Sequence, residues 1–339
     1  MRATFTPEQE QIEQTMVAVG VDGLSAARTC LESGWKASAA DERLLADFGA
    51  LGLGEEAGGY GGSLVDIAVA VEALARTLVP SRLPAQLAAI QVAAAAGLDV
   101  TAAVSEGEHW ALAADEPSAD GPDGWTMRRA GDRLDGTKAL VAYGADAHAF
   151  VVCVGEDVVV VDGGETVMRE SIDPTRPVVD LIFPGAIRAQ GTAPTALMRA
   201  TVIAAADLCG AAAGAVTLGA MHARDREQFG RPIGSYQGVA FQLADAFVAT
   251  KAAWDLTLYA AWAVDTAAPD AARYVHAAKA KAGQASLHAA ERSMQVHGGL
   301  GITLEADPHL YVRRALFGDA WLGRGRWHRL ALGRLRLAT

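Results

Sequence analysis

The stretch Arg224 to Asp245, RDREQFGRPIGSYQGVAFQLAD, decides how the rest of the chain is read, because it gathers cations, amides and an aromatic ring inside a long Ala-rich region. Upstream, Thr195 to Ala223 contains no proline and is built mainly of Ala, Leu, Val and Ile. Gly210, Gly214 and Gly219 are small residues at which a second helix can approach closely, so the segment predicts a buried helix. Pro232 is expected to stop it. After Gly234-Ser235 the apolar residues Leu243, Phe247, Trp254, Leu258 and Trp262 recur at one or two helical turns, which predicts a second, amphipathic helix. The stretch therefore sits at a helix-turn-helix corner.

At such a corner the second helix offers its free N–H groups to an anion, Arg226 suits a bidentate contact with a phosphate, and Phe229 suits a flat ring. A dinucleotide fits this set of groups. The other reading is an Arg that satisfies helix carbonyls and a Phe that fills the bend, and spacing alone favours it, since long helical chains contain many such corners.

Length and composition narrow the field. A chain of 339 residues with 51% hydrophobic and 20% charged residues is an Ala-rich globular protein of two or three domains. A formal net charge of −11 argues against a nucleic-acid partner, which requires clustered cations. One basic segment stands out at the C-terminal end, where Arg313, Arg314, Arg324, Arg326, Arg329, Arg334 and Arg336 have only Asp319 as an acidic neighbour in sequence. It reads either as a surface for an anionic ligand or acidic partner, or as a solvated helix face. Cys30, Cys153 and Cys209 lie far apart without metal-ligand spacing, which suggests neither a disulfide framework nor a metal site and fits a reducing cytoplasm. The N-terminal MRATFTPEQEQIEQ has acids where a signal peptide has cations, and no uninterrupted apolar run suggests a membrane span.

In chain order, Thr6-Pro7-Glu8 reads as a helix start, opening helical sequence that continues with breaks to about Gly97. The Gly-rich GEEAGGYGG at Gly54 to Gly62 is read as a tight connection between helices. From Trp110, short β-rich runs such as AFVVCVG and DVVVVDGG are separated by turn residues, as antiparallel strands are. After Thr192-Ala193-Pro194 come four long helical segments, the third ending at Gly298-Gly299 and the fourth starting at Asp307-Pro308. The expected class is α+β, with an N-terminal helical domain over 1–109, a middle antiparallel β domain over 110–190 and a C-terminal four-helix bundle over 191–339.

The run R-x-Q-F-G-x-P-I from Arg226 to Ile233, followed by Gln237 and Leu243-Ala244-Asp245, resembles the signature of the acyl-CoA dehydrogenase family. MQVHGGLGI at Met294 to Ile302 resembles a second family signature, and the segment from Leu44 to Thr77 is similar to the family's first domain. The resemblance implies the three-part fold just described. It also implies flavin adenine dinucleotide as cofactor, an acyl-CoA thioester as substrate and an electron acceptor. In the family the adenine-diphosphate end of the flavin is held by the neighbouring subunit. The matching positions here are Arg226, Gln228, Phe229, Gln237, Gln295, Val296, Gly298 and Gly299, with His297 between them expected to pack. The side-chain chemistry suits the task, with Arg on pyrophosphate, amides on adenine or ribose edges, and glycines where backbone approaches closely.

Other family features are altered. Where relatives carry a Thr-Glu-Pro-x-x-Gly-Ser-Asp loop, this chain reads Ala114-Asp115-Glu116-Pro117-Ser118-Ala119-Asp120, and the ring-lining Trp-Ile-Thr is Leu140-Val141-Ala142. Leu140 lacks aromatic surface and Ala142 lacks a hydroxyl donor. The general base falls at Leu322 at one family position and near Ala200-Thr201 at the other, so no catalytic residue is assigned. Asp319 is expected to be a surface residue. The ending GRGRWHRLALGRL resembles the non-base chain of short dehydrogenases that pair as α2β2 heterotetramers in actinobacterial sterol side-chain degradation. This implies a second acyl-CoA dehydrogenase chain as partner and possible steroid-CoA substrates. A self-sufficient homotetramer with an unusual base, a flavin oxidase, and a non-catalytic CoA-binding or scaffold subunit remain the alternatives.

Overall fold

A computed structural model describes residues 4–131, 133–193 and 195–337. Pro194, part of the expected boundary before the last helices, lies outside the described residues. The N-terminal part is helical: α1 (Pro7–Val19), α2 (Gly23–Ser33), α3 (Ala39–Phe48), α4 (Leu64–Ala75), α5 (Leu83–Ala95) and the short α6 (Thr101–Ser105). Thr6 opens α1 through a capping box with Gln9, with Pro7 in the first turn. The Gly-rich stretch joins α3 to α4 as expected, with a single bridge between Leu53 and Gly61.

The middle of the chain supplies β1 (Trp110–Ala113), β2 (Arg128–Ala130), β3 (Arg133–Asp135), β4 (Lys138–Ala142), β5 (Ala149–Val154), β6 (Asp157–Arg169) and β7 (Val178–Thr192). The main sheet has the order β1-β5-β6-β7-β4. It is antiparallel except that β1 runs parallel to β5, a pairing that the long connection between them, which holds the β2-β3 hairpin and β4, permits. Alternate residues go to opposite faces. Trp110, Leu112, Val151, Cys153, Val158 and Val160 join the helical core, while Ala111, Ala113, Phe150, Val152, Val159 and Val161 pack in a second core.

The C-terminal part contains α7 (Ala196–Asp225), a hairpin of β8 (Glu227–Gln228) and β9 (Arg231–Pro232), then α8 (Gln237–Asp265), α9 (Ala271–His297), α10 (Pro308–Ala320) and α11 (Gly325–Leu337). By length and composition α7 is apolar enough to cross a bilayer, but 78% of its most apolar window is buried within the chain. Two of its glycines carry the close approach foreseen from the sequence: a Cβ at Gly210 would lie 2.1 Å from the carbonyl oxygen of Glu72, and one at Gly214 would lie 1.9 Å from that of Arg76. α4 thus lies directly on α7.

Three details depart from the sequence reading. α7 ends at Asp225, well before Pro232, because Arg226 turns to an extended conformation and starts the hairpin. Phe247, expected on the buried face of α8, is exposed together with Phe241 and Val248. The fourth helical segment is two helices, α10 and α11, broken where Leu322 (φ 60°) and Gly323 (φ 91°) both take left-handed backbone.

Buried ions fasten the sheet to the helices. Arg314 on α10 is fully buried and donates to Asp173, to Asp207 on α7 at 3.2 Å and to the Thr175 hydroxyl at 2.6 Å. Arg176 donates to the same Asp207 at 2.9 Å and to the Tyr143 hydroxyl at 2.8 Å. The basic C-terminal segment is thus largely answered from within the chain, since Arg324 and Arg326 meet Asp120 and Arg334 meets Asp123.

Candidate functional site

The two ends of α7 differ in kind. At its C-terminal end Phe229 and Gly230 form the two-residue turn between β8 and β9, both with positive φ (54° and 79°), the geometry of a type I′ hairpin turn. A Phe in that conformation is strained, and the residue is 93% exposed, its ring meeting only the edge of Tyr236 at 6.5 Å among the described residues. Tyr236 braces the hairpin by donating its hydroxyl to the Gln228 carbonyl at 3.2 Å, and Arg231 lies 4.0 Å from the centre of its ring. Arg224 is paired with Asp225. No carboxylate pairs with the Arg226 guanidinium among the described residues.

Immediately after the hairpin, α8 begins at Gln237 with no side-chain cap on its N-terminus; the Val239 and Ala240 N–H groups donate to the Tyr236 carbonyl, and those of Gln237 and Gly238 are available. The second motif is brought to the same corner. Ala223, Leu243 and Val296 form a small core that joins α7, α8 and α9, and His297 stacks on His222 with ring centres 4.0 Å apart. His297 also bonds to the Ser293 carbonyl at 2.8 Å, which makes it a packing residue, as the sequence suggested. Val296 is buried in that small core, whereas Gln295, Gly298 and Gly299 are exposed. Gly298 needs its positive φ of 61°. Gly299 has no such need, and a Cβ there would meet nothing within 4 Å. Nothing inside this chain requires glycine at that position.

At the N-terminal end of α7 the corresponding cleft is braced by buried side chains. Asp115 is buried, and its carboxylate accepts the Leu322 N–H at 2.7 Å. Burial pushes Asp115 up to about 6, against the opposing pull of the Leu322 N–H and of Lys279 and Lys138. Glu116 accepts the N–H groups of Thr126 and Met127 and the fully buried Lys138 ammonium at 2.8 Å, which also faces the Trp125 ring at 4.4 Å. Gly121 is pressed on Trp327 so closely that a Cβ would fall 2.4 Å from the indole. Lys279 donates to the carbonyls of Asp319 (3.1 Å) and Gly323 (3.0 Å), holding the break between α10 and α11, and burial lowers it to about 8.

A cavity of about 450 Å³ remains here, lined by Trp125, Leu197, Met198, Thr201, His276, Leu322 and His328 among others. Of the two places where a base was sought, Leu322 and Thr201 form its wall, the Thr201 hydroxyl being committed to the Leu197 carbonyl at 2.7 Å, and Ala200 is fully buried. Asp319 accepts the Gly325 N–H at 3.1 Å and lines a separate cleft with Arg324, Arg326 and Arg329. It caps the start of α11. Leu140 is half-buried in a bulge of β4 with φ 53°, and Ala142 is buried.

Sequence reasoning did not single out Lys138, Lys279, His276 or His328. The two histidines are 52 positions apart and share no local motif, so only the fold brings them together.

A family model described as acyl-CoA dehydrogenase, C-terminal domain, matches residues 191–335. Acyl-CoA dehydrogenase IpdE2 of Mycobacterium tuberculosis is 34% identical over 269 residues, covering 78% of this chain and 76% of that relative. Among solved structures the Tcur3481-Tcur3483 steroid ACAD aligns with a TM-score of 0.84 at 27% identity over 98% of both chains. The ChsE4-ChsE5 complex from Mycobacterium tuberculosis aligns with a TM-score of 0.87 over the whole of both chains, at 24% identity, a likeness of fold.

Proposed function

The chain belongs to the acyl-CoA dehydrogenase family, and on that premise we propose that it completes the flavin site of a second dehydrogenase chain and has no working site of its own. In this reading Arg226 and the first N–H groups of α8 hold the pyrophosphate. Gln228, Gln237 and Gln295 hydrogen-bond adenine or ribose edges, Phe229 covers the adenine, and Gly298 and Gly299 let backbone approach the nucleotide. Val296 supports them by packing α9 onto α7 and α8. The chemistry of the donors fits this half of FAD, which when bound supplies the hydride acceptor for α,β-desaturation of an acyl-CoA. The ring half does not fit. Its cleft is braced by the chain's own contacts, has Leu322 and Ala200-Thr201 rather than a carboxylate at the two positions the resemblance gives for a base, and carries Leu140 and Ala142 where relatives have an aromatic ring and a hydroxyl.

The observation that carries the reading is this contrast along α7. From Thr201 to Asp225 the helix rises about 36 Å, so the open corner and the chain's own cleft cannot serve the same flavin molecule. The corner serves a flavin whose ring lies in another chain, which brings the ring pocket and the base. The exposed Phe241, Phe247 and Val248 of α8 and Leu300, Ile302 and Leu304 beyond α9 give such a partner apolar surface to cover. The steroid ACAD likeness points to a bulky steroid-CoA substrate in an α2β2 complex, with an electron acceptor reoxidising the flavin. Three buried free thiols suit a cytoplasmic setting. We divide the chain at 1–109, 110–190 and 191–339, so that the whole corner lies in the last part.

Co-expression with the partner, followed by mass measurement and flavin absorbance, tests the reading. Two flavins per four chains are expected, with no yellow protein when the chain is made alone. Four flavins per tetramer, or a stable yellow homotetramer of this chain, would overturn it.

A further inference from the structure

His276 on α9 and His328 on α11 approach Nδ1 to Nδ1 at 2.8 Å, and His328 Nε2 lies 3.0 Å from the Leu322 carbonyl oxygen. A carbonyl oxygen only accepts, so the hydrogen is on His328 Nε2. Burial, reinforced by the charge of Lys279 and the presence of His276, lowers His328 to about 2, so its ring is neutral and its Nδ1 is a bare acceptor. The hydrogen between the two rings must then belong to His276 Nδ1. His276 is itself lowered by burial, which leaves its Nε2 as a lone pair with no donor paired to it among the described residues.

Both rings line the cavity at the start of α7, whose wall is otherwise mostly apolar, with Leu197, Met198, Val275 and Leu322. Trp125, on the same wall, has an indole N–H that is buried without a partner among the described residues. Glu156, also on the wall, is exposed and disfavours an anion, whereas the charge of Asp123 is met by Arg334.

We propose that this cavity binds a small, uncharged apolar molecule through a single hydroxyl that donates to His276 Nε2. A ketone or an ether offers no hydrogen to that nitrogen, and a carboxylate would meet Glu156. The volume of about 450 Å³ falls within the range of small-molecule sites. The site is independent of the nucleotide corner at the other end of α7, and no covalent step is involved.

The test uses the full chain in its co-expressed complex and two probes, 2-naphthol and 2-methoxynaphthalene, titrated by calorimetry. The wild type should prefer the naphthol by roughly fivefold, the size of one net neutral hydrogen bond. His276→Phe, which keeps an aromatic ring but no acceptor, should bind both probes equally. If that variant loses both probes through misfolding, His276→Gln decides, because its side-chain carbonyl still accepts and should retain a preference. Equal affinities in the wild type, no saturable binding, a preference that survives in His276→Phe, or none in His276→Gln would each overturn the proposal.

Discussion

The two ends of α7 are made from one continuous helix, yet their polar groups are treated in opposite ways. At the cleft end the buried carboxylates are answered from within: Asp115 by the Leu322 N–H, Glu116 by Lys138, and Asp173 and Asp207 by Arg314 and Arg176. At the corner end Arg226 has no carboxylate, α8 has no cap, and Phe229 stands in solvent at a strained φ. Stability alone does not select the second arrangement, since each of these features is neutral or costly in an isolated chain. In the proposed reading the corner serves a ligand the chain does not contain, whereas the buried ions of the cleft end brace the fold.

The comparison breaks most visibly if the cleft end turns out not to be structural. Asp173→Ala leaves the fully buried Arg314 short of a carboxylate, and the loss expected for breaking a buried ion pair is about 3–5 kcal/mol. Urea unfolding would show it as a large drop in midpoint. A midpoint unmoved by this change would mean that the ions are not what braces the cleft. At the corner the expectation reverses. Arg226→Ala should leave the unfolding midpoint of the chain within about 0.5 kcal/mol of wild type, as surface changes do, and should weaken flavin retention in the assembled complex by roughly 2 kcal/mol. Unchanged flavin content would remove the corner from the nucleotide site.

A smaller effect sharpens the comparison through pH. His328 is lowered by burial to about 2, so as pH falls below the ordinary histidine value of 6.5 the unfolded chain takes up the proton and the folded chain does not. Its contribution to stability is complete above that value and is lost as pH falls. Asp115 works in the other direction, because a raised folded pKa of about 6 favours the folded state as pH falls from 6 towards 4. Comparing wild type with His328→Gln at each pH separates the two. Below pH 6.5 the difference in unfolding free energy should shift against the wild type, by up to about 1.4 kcal/mol per pH unit. Parallel pH profiles would mean that His328 takes up its proton in the folded chain over the same range as in the unfolded one.

The corner was legible in the sequence because its groups are local: Arg226 to Ile233 is one turn of chain, and Gln295 to Gly299 is another, each with a spacing that carries its own geometry. Thr6, Gly210 and Gly214 were legible for the same reason, a cap and two small residues on one helix face. The cleft was legible only as losses, namely Leu140, Ala142 and Leu322. The contacts that brace it were hidden, because Asp115 reaches 207 positions to Leu322 and His276 reaches 52 to His328. The break between α10 and α11 was hidden as well, since Leu322 gives no sign in sequence that it adopts left-handed backbone against its own preference.

The smallest expected effect is the most direct check on how far the cleft has gone. Leu322→Glu places a carboxylate where the family resemblance puts the base, and if only a base were missing the isolated chain would gain turnover. We expect none. The Leu322 N–H is held by the Asp115 carboxylate, so a Glu side chain here would sit beside a buried acid. Two carboxylates in one poorly solvated site raise each other's pKa, which keeps the new group protonated near neutral pH and unable to take a proton. The left-handed backbone at this position adds a cost of roughly 1–2 kcal/mol that Glu relieves no better than Leu does. The ring face would still be Leu140 and Ala142, with neither the aromatic surface nor the hydroxyl. Dye reduction with acyl-CoA substrates, on a variant shown by circular dichroism to be folded, should therefore stay at the wild-type baseline. Sustained turnover would show that the cleft differs from a working one by a single residue, and the contrast between the two ends of α7 would then be a matter of one lost carboxylate rather than of a rebuilt site.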